Sequence, residues 1–187
     1  LQAMDAGFET RAFLIDKKNE LWTASKKGYI RIYQPDGRLK GYLTPEGNIS
    51  SQPISFQKNI YCFMEDENGI IWMGSKLDGL FRLTRDQKDH FQIHQFTHQK
   101  DNQYSLSNNS IYSIYQDHQK RIWIGCYGGG LNLLEETAEG EIRFVHNGNQ
   151  LKEYPKGHFT KVRYITEVNN AILVCTTEGL LTFSSEF

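Results

Sequence analysis

One motif returns along the chain with a period of about 50 residues, and a tandem repeat of that length constrains the fold more than anything else in the sequence. The segment Ile60 to Ser75, carrying Asp66, Gly69 and Trp72, recurs as Ile111 to Cys126, carrying Asp117, Lys120 and Trp123. An earlier copy runs from Phe13 to Ser25 with Asp16, Asn19 and Trp22, and a decayed fourth from Val162 to Thr176. Trp22, Trp72 and Trp123 stand 50 and 51 residues apart, and Leu173 lies 50 beyond. Each copy continues to a glycine followed by an apolar or aromatic residue: Gly28-Tyr29, Gly79-Leu80, Gly130-Leu131 and Gly179-Leu180. Two independent landmarks share one period. The fourth copy is one residue short around its turn, so either Glu167 or Val168 takes the aspartate's place.

Within a copy the pattern reads as short strands. Ile60 to Glu65 is rich in β-branched and aromatic residues, Asp66 to Gly69 supplies turn chemistry, and Ile70 to Ser75 is a second strand. Leu80 to Thr84 and Phe91 to Phe96 then alternate as a third and a fourth. Helical solenoids would show a 3.6-residue apolar period, which is absent. The expectation is an all-β chain, a β-propeller of four-stranded antiparallel blades over about 10–58, 59–106, 107–158 and 159–187. The last blade stops after its third strand. The only donor for a missing outer strand is Leu1 to Thr10, where Gly7, Phe8 and Glu9 form a weak strand. The reading is therefore four blades of a larger propeller, whose isolated fragment self-associates through an uncovered edge, with closure into a four-bladed ring as the alternative.

Composition removes several function classes. With 21 Lys+Arg against 22 Asp+Glu, a formal net charge of -1 leaves no broad positive field for nucleic acid or an anionic membrane. No apolar run approaches the roughly 20 residues of a spanning helix, so no membrane contact by this segment is expected. The N-terminus carries no signal-peptide pattern, and Leu1 to Ala3 read as a remnant of processing. Cys62, Cys126 and Cys175 are odd in number and lack a Cys-x-x-Cys pair, which points to buried free thiols. His90, His94 and His98 lie four apart, but His94 sits in an alternating strand opposite Phe91, Ile93 and Phe96, so they read as a polar edge and no metal is expected. Gly128, Gly129 and Gly130 have no Lys-Ser/Thr after them, and no catalytic Ser/His/Asp or Cys/His signature is present. Neither a cofactor nor catalysis is expected.

The spacing Asp-x-x-(Gly/Asn/Lys)-x-(Ile/Leu)-Trp separates propeller families. WD-repeat, kelch and sialidase Asp-box patterns do not fit it. The copy from Ser107 to Leu131 most closely resembles the two-component regulator propeller repeat, with Lys120 in place of the usual turn glycine. That family forms the periplasmic sensor region of hybrid two-component sensors of Bacteroidetes, which detect glycan breakdown products. The resemblance implies a periplasmic, non-enzymatic module of a sensor histidine kinase. Its partners would be an oligosaccharide, the remaining blades and signalling domains of the parent chain, and a second parent in a homodimer.

The motif residues themselves, Asp16, Trp22, Gly28, Asp66, Gly69, Trp72, Gly79, Asp117, Trp123, Gly130 and Gly179, recur in the blades and therefore read as architecture: aspartate caps a turn, glycine takes positive φ, and tryptophan fills the gap between blades. Ligand contacts are expected from loops on one face. On that face the second-to-third-strand connections place Lys26, Lys27, Lys76, Asp78, Tyr127 and Glu178, and the inter-blade connections place Asn102, Tyr104, Asn108 and His158. A protein-binding or dimerisation scaffold, and a polysaccharide lyase or glycosidase propeller, are the competing readings.

Overall fold

A computed structural model describes residues 9–184 and is all-β, in four antiparallel sheets that follow one another along the chain. Blade 1 contains β1 (Thr10–Ile15), β2 (Leu21–Ser25), β3 (Ile30–Tyr33), β4 (Leu39–Leu43) and β5 (Ile49–Ser50). Blade 2 contains β6 (Ile60–Glu65), β7 (Ile71–Ser75), β8 (Leu80–Arg85) and β9 (Phe91–Phe96). Blade 3 contains β10 (Ile111–Gln116), β11 (Ile122–Cys126), β12 (Gly130–Glu136) and β13 (Ile142–His146). Blade 4 contains β14 (Val162–Val168), β15 (Ala171–Thr176) and β16 (Leu180–Ser184). Each blade is a meander in sequence order, as tight turns between neighbouring strands require. Two details differ from a uniform four-strand blade. Blade 1 adds the two-residue β5, which pairs through Tyr42 and Leu43, and blade 4 has three described strands.

The motif aspartate explains its own spacing. Asp66 Oδ1 accepts the backbone N–H groups of Asn68 at 2.9 Å and Ile70 at 3.0 Å, while Oδ2 accepts the indole N–H of Trp72 at 2.9 Å. Asp16 does the same for Lys18, Glu20 and Trp22. Asp117 accepts from the Arg121 backbone and from the Trp123 indole. One carboxylate thus closes the first turn and satisfies a buried donor on the next strand. Asn19 (φ 57°), Gly69 (φ 77°) and Lys120 (φ 68°) supply the left-handed residue of that turn.

The blades lean on one another through three apolar seams. Trp22 sits in the first, among Ile32, Leu43, Ile71 and Met73, with the ring of Phe91 edge-on at 5.2 Å. Trp72 anchors the second with Ile111, Ile124 and Phe144, and Trp123 the third with Val162, Ile172 and Phe183. On β7 and β11, glycine lets the next blade close in, since a Cβ on Gly74 would lie 2.6 Å from Ile111 Cγ2 and one on Gly125 2.5 Å from Val162 Cγ1. A polar latch repeats under each seam: Glu65, Gln116 and Glu167 accept the backbone N–H of Lys17, Glu67 and His118 in the preceding blade. This places Glu167 at the position of Glu65 and Gln116, so Val168 stands where the aspartate would be.

The described residues form no fourth seam between blade 4 and blade 1. Phe13, Ile15 and Leu39 on one flank and Tyr164, Val168 and Leu180 on the other are exposed, Phe13 to 71% and Tyr164 to 63%. Cys175 corrects the expectation that all three thiols are buried. It is exposed because it lies on the uncovered blade-4 flank, whereas Cys126 is buried, Cys62 is half-buried, and burial pushes their thiols up to about 11 and about 12. The proposed strand donor Leu1 to Thr10 lies for the most part outside the described residues. Among the described residues no helix is long and apolar enough to cross a membrane.

Candidate functional site

Every inner strand carries a β-bulge at the same place, just after its first residue: between Thr10 and Ala12, Ile60 and Cys62, Ile111 and Ser113, and Val162 and Tyr164. The extra residues are Arg11, Tyr61, Tyr112 and Arg163. A bulge re-aims one side chain out of the strand alternation, and bulges concentrate beside functional sites. These four lie at the end of the inner strands where the second-to-third-strand connections also lie. Lys26, Lys76, Tyr127 and Thr177 each donate a backbone N–H to the residue near the start of the neighbouring inner strand, Glu9, Asn59, Ser110 and Lys161 respectively.

The re-aimed side chains form one continuous row. Arg11 donates to the Tyr61 hydroxyl at 3.1 Å and lies 5.3 Å from its ring centroid. The rings of Tyr61 and Tyr112 are 4.8 Å apart, and Tyr127 stacks on Tyr112, also at 4.8 Å. Arg163 lies 4.9 Å from the Tyr127 centroid and Lys161 5.7 Å. Below the row is a cavity of about 350 Å³ lined by Arg11, Phe13, Tyr61, Phe63, Tyr112, Tyr115 and Tyr164. Burial raises the Tyr112 phenol above its ordinary value, with the neighbouring Tyr61 adding to it, so Tyr112 is a neutral donor at physiological pH.

Tyr127 belongs to this row; the other loop residues singled out from the sequence are dispersed. Lys26 pairs with Glu9 at 3.2 Å, and Asp78 with Lys58 at 2.8 Å. Lys27 and Lys76 are exposed. His158 and Glu178 meet at 3.5 Å, where Glu178 also accepts the Phe159 backbone N–H. Asn102 caps the Tyr104 backbone, and Tyr104 sits under Arg143, 5.1 Å from the guanidinium, where its carbonyl accepts the N–H of Phe144 on β13. Asn108 closes its own turn onto Ser110, against the Gly128-Gly129 connection. Sequence reasoning missed Arg11, Tyr61, Tyr112, Lys161 and Arg163. For Arg11, Tyr61, Tyr112 and Arg163 the signal was position: one step past the first residue of each blade's first strand, the residue is long and polar or aromatic.

A family model described as "Two component regulator propeller" matches residues 55–76 and 105–128. The two matched segments cover the first two strands of blades 2 and 3 together with the connections leading into them. Histidine kinase P4 of Formosa agariphila is 28% identical over 130 residues, which is 67% of this chain and 9% of that protein. Among solved structures, the extracellular domain of a hybrid two component system from B. thetaiotaomicron matches with a TM-score of 0.54 at 18% identity, covering 98% of this chain and 28% of that one. Virginiamycin B lyase from Staphylococcus aureus matches at 0.56 and 18% identity, over 98% of this chain and 58% of the lyase. The computationally designed Ika4 protein matches at 0.60 and 11% identity, over 98% of both chains. These likenesses show the propeller fold.

Proposed function

We propose that this chain is a non-catalytic, ligand-binding arc of an extracytoplasmic sensor, which takes up an oligosaccharide and passes the event to a histidine kinase region elsewhere in its parent. The observation that carries this reading is the row of Arg11, Tyr61, Tyr112, Tyr127 and Arg163 at the bulged ends of the inner strands, the mouth of the arc. In a repeat protein the shared residues build the blades, and a site arises where the repeats differ while pointing at one axis. Arg, Tyr, Tyr and Arg occupy the four bulges, and the tyrosines present aromatic surface and hydroxyl donors to a cavity of small-ligand size. The repeat family and the kinase relative support signalling, and the extracellular sensor neighbours support a periplasmic location. A screen of soluble oligosaccharides by calorimetry on the complete sensor region is expected to yield a saccharide ligand. Tight binding of a protein with no saccharide ligand at all would favour the scaffold reading instead.

The two apolar flanks support a second element of the proposal: further blades of the parent cover them. A chain spanning 9% of its kinase relative leaves ample room for such blades. Light scattering on the isolated chain is expected to show self-association, because Ile15, Leu39, Val168 and Leu180 stay in water otherwise. A stable monomer of the 21.7 kDa chain, unchanged on removal of Leu1 to Thr10, overturns this element.

A further inference from the structure

At the bulged ends of the inner strands three cations gather around one group of aromatic rings. Several cations of the fold are matched with acids at close range: Arg85 meets Asp16, Glu20 and Asp89, Lys40 meets Glu20 and Asp89, Arg121 meets Asp117, and Arg143 meets Glu135. At the mouth, Arg11, Lys161 and Arg163 surround three tyrosines, and among the described residues the acid paired there, Glu9, is shared between Arg11 at 2.8 Å and Lys26 at 3.2 Å. Lys161 and Arg163 are exposed, and among the described residues they meet aromatic rings and no carboxylate. A guanidinium lying over a ring keeps its in-plane N–H fork for an oxyanion. A net charge of -1 over the chain makes this a local feature rather than a diffuse field.

We propose that the mouth binds an anionic saccharide, with the sugar ring seated in the tyrosine-lined cavity and its carboxylate or sulfate held by Arg163 and Lys161. This deepens the saccharide-sensing reading above and rests on it. A neutral sugar would use the hydroxyls of Tyr61 and Tyr112 but leave Lys161 and Arg163 without a role. The cavity of about 350 Å³ has room for one or two sugar rings.

Calorimetry with galacturonobiose, a sulfated galactobiose, neutral galactobiose and inorganic sulfate tests the proposal. At least one acidic disaccharide is expected to bind ten-fold or more tighter than galactobiose, and which one wins separates carboxylate from sulfate recognition. Lys161→Gln with Arg163→Gln is expected to weaken that binding about 10- to 100-fold, the scale of losing a charged hydrogen bond. Lys88→Gln, on the opposite face, is expected to leave it unchanged. Both mouth residues are exposed, and circular dichroism verifies that the double variant folds. Equal affinity for neutral and acidic disaccharides overturns the anion requirement while sparing the saccharide reading. Acidic binding that survives the double variant overturns the site. Inorganic sulfate as strong as the sugars reduces the site to an anion pocket, and no binding by any disaccharide sinks both this proposal and the reading beneath it.

Discussion

In blades 1, 2 and 3 an aspartate before the first turn reaches forward to a buried indole; in blade 4 Val168 and Leu173 stand at those two places. The turn between them shrinks to Asn169 and Asn170, both at positive φ, in a two-residue hairpin that needs no capping carboxylate. Cys175 replaces the glycine that Gly74 and Gly125 provide on β7 and β11. All three changes lie on the flank that no described blade covers, where Leu173 is only half-buried and Cys175 is exposed. The comparison teaches what the motif is for. An aspartate that satisfies an indole N–H matters where another blade seals that indole from water, and a missing side chain matters where another strand must come within van der Waals reach.

The largest effect that can break this comparison is truncation of the indole itself. Trp72 is 2% exposed, and Trp72→Ala is expected to cost about 4 kcal/mol, since it leaves a cavity in the second seam. Leu173→Ala, at the matching place on the open flank, is expected to cost about 1 kcal/mol, because its side chain never left water fully. Chemical denaturation measures both. Equal losses would mean that the blade-4 flank is sealed in solution as the seams are.

The carboxylate comes next. Asp66→Ala strands two turn N–H groups and the Trp72 indole N–H, with an expected cost of about 3 kcal/mol. Val168→Ala, on the exposed flank, is expected to stay within about 0.5 kcal/mol of the parent. A small loss at Asp66 would move the motif's role from the turn to packing alone.

Acid separates the same two regions more gently. Blades 1 and 2 share a charged cluster in which Lys40 bridges Glu20 at 2.6 Å and Asp89 at 2.8 Å. The hydrogen bond from Lys40 holds Asp89 down to about 2, against an ordinary value near 3.8. A depressed carboxylate stabilises the fold fully above its unfolded pKa, and that contribution is lost as pH falls through the window from about 4 to about 2. Because Asp89 is partly exposed, the loss is discounted to about 1 kcal/mol. Asp89→Asn is expected to lower stability at neutral pH and to flatten this acid limb. An unchanged limb in the variant would assign the acid sensitivity to other carboxylates.

The same contrast shows how far the sequence could be read. The period, the strands of each blade and the Asp-to-Trp spacing were legible because each is a local pattern repeated at equal intervals. Blade 4's shortened turn was visible as a missing residue, yet choosing between Glu167 and Val168 required the latch onto His118. The mouth was barely legible. A bulge inserts one residue without altering composition, so Arg11, Tyr61, Tyr112 and Arg163 look like ordinary strand positions until the four blades bring them into one row. Turn order alone assigned the loop residues to one end of the blades, and turn order does not say which side chains lean inward. Tyr127 leans onto Tyr112, whereas Tyr104 is held by Arg143 at the β13 edge.

The smallest expected effect concerns the turn residue that differs among blades 1 to 3. Lys120 adopts φ 68° where blade 1 has Asn19 and blade 2 has Gly69. A left-handed conformation costs an ordinary side chain about 1–2 kcal/mol, and Lys120→Gly removes that strain. Glycine returns about 0.5–1 kcal/mol of the gain through the greater freedom of its unfolded chain. The variant also loses the exposed ion pair between Lys120 and Glu67, 3.1 Å apart, worth a few tenths of a kcal/mol until salt screens it. Lys120→Gly is therefore expected to be near neutral at low salt and to stabilise by about 0.5 kcal/mol in 1 M salt, read as a shift in the urea midpoint. A loss exceeding about 1 kcal/mol at both salt concentrations would show that Lys120 does structural work in the third blade that Gly69 leaves undone in the second.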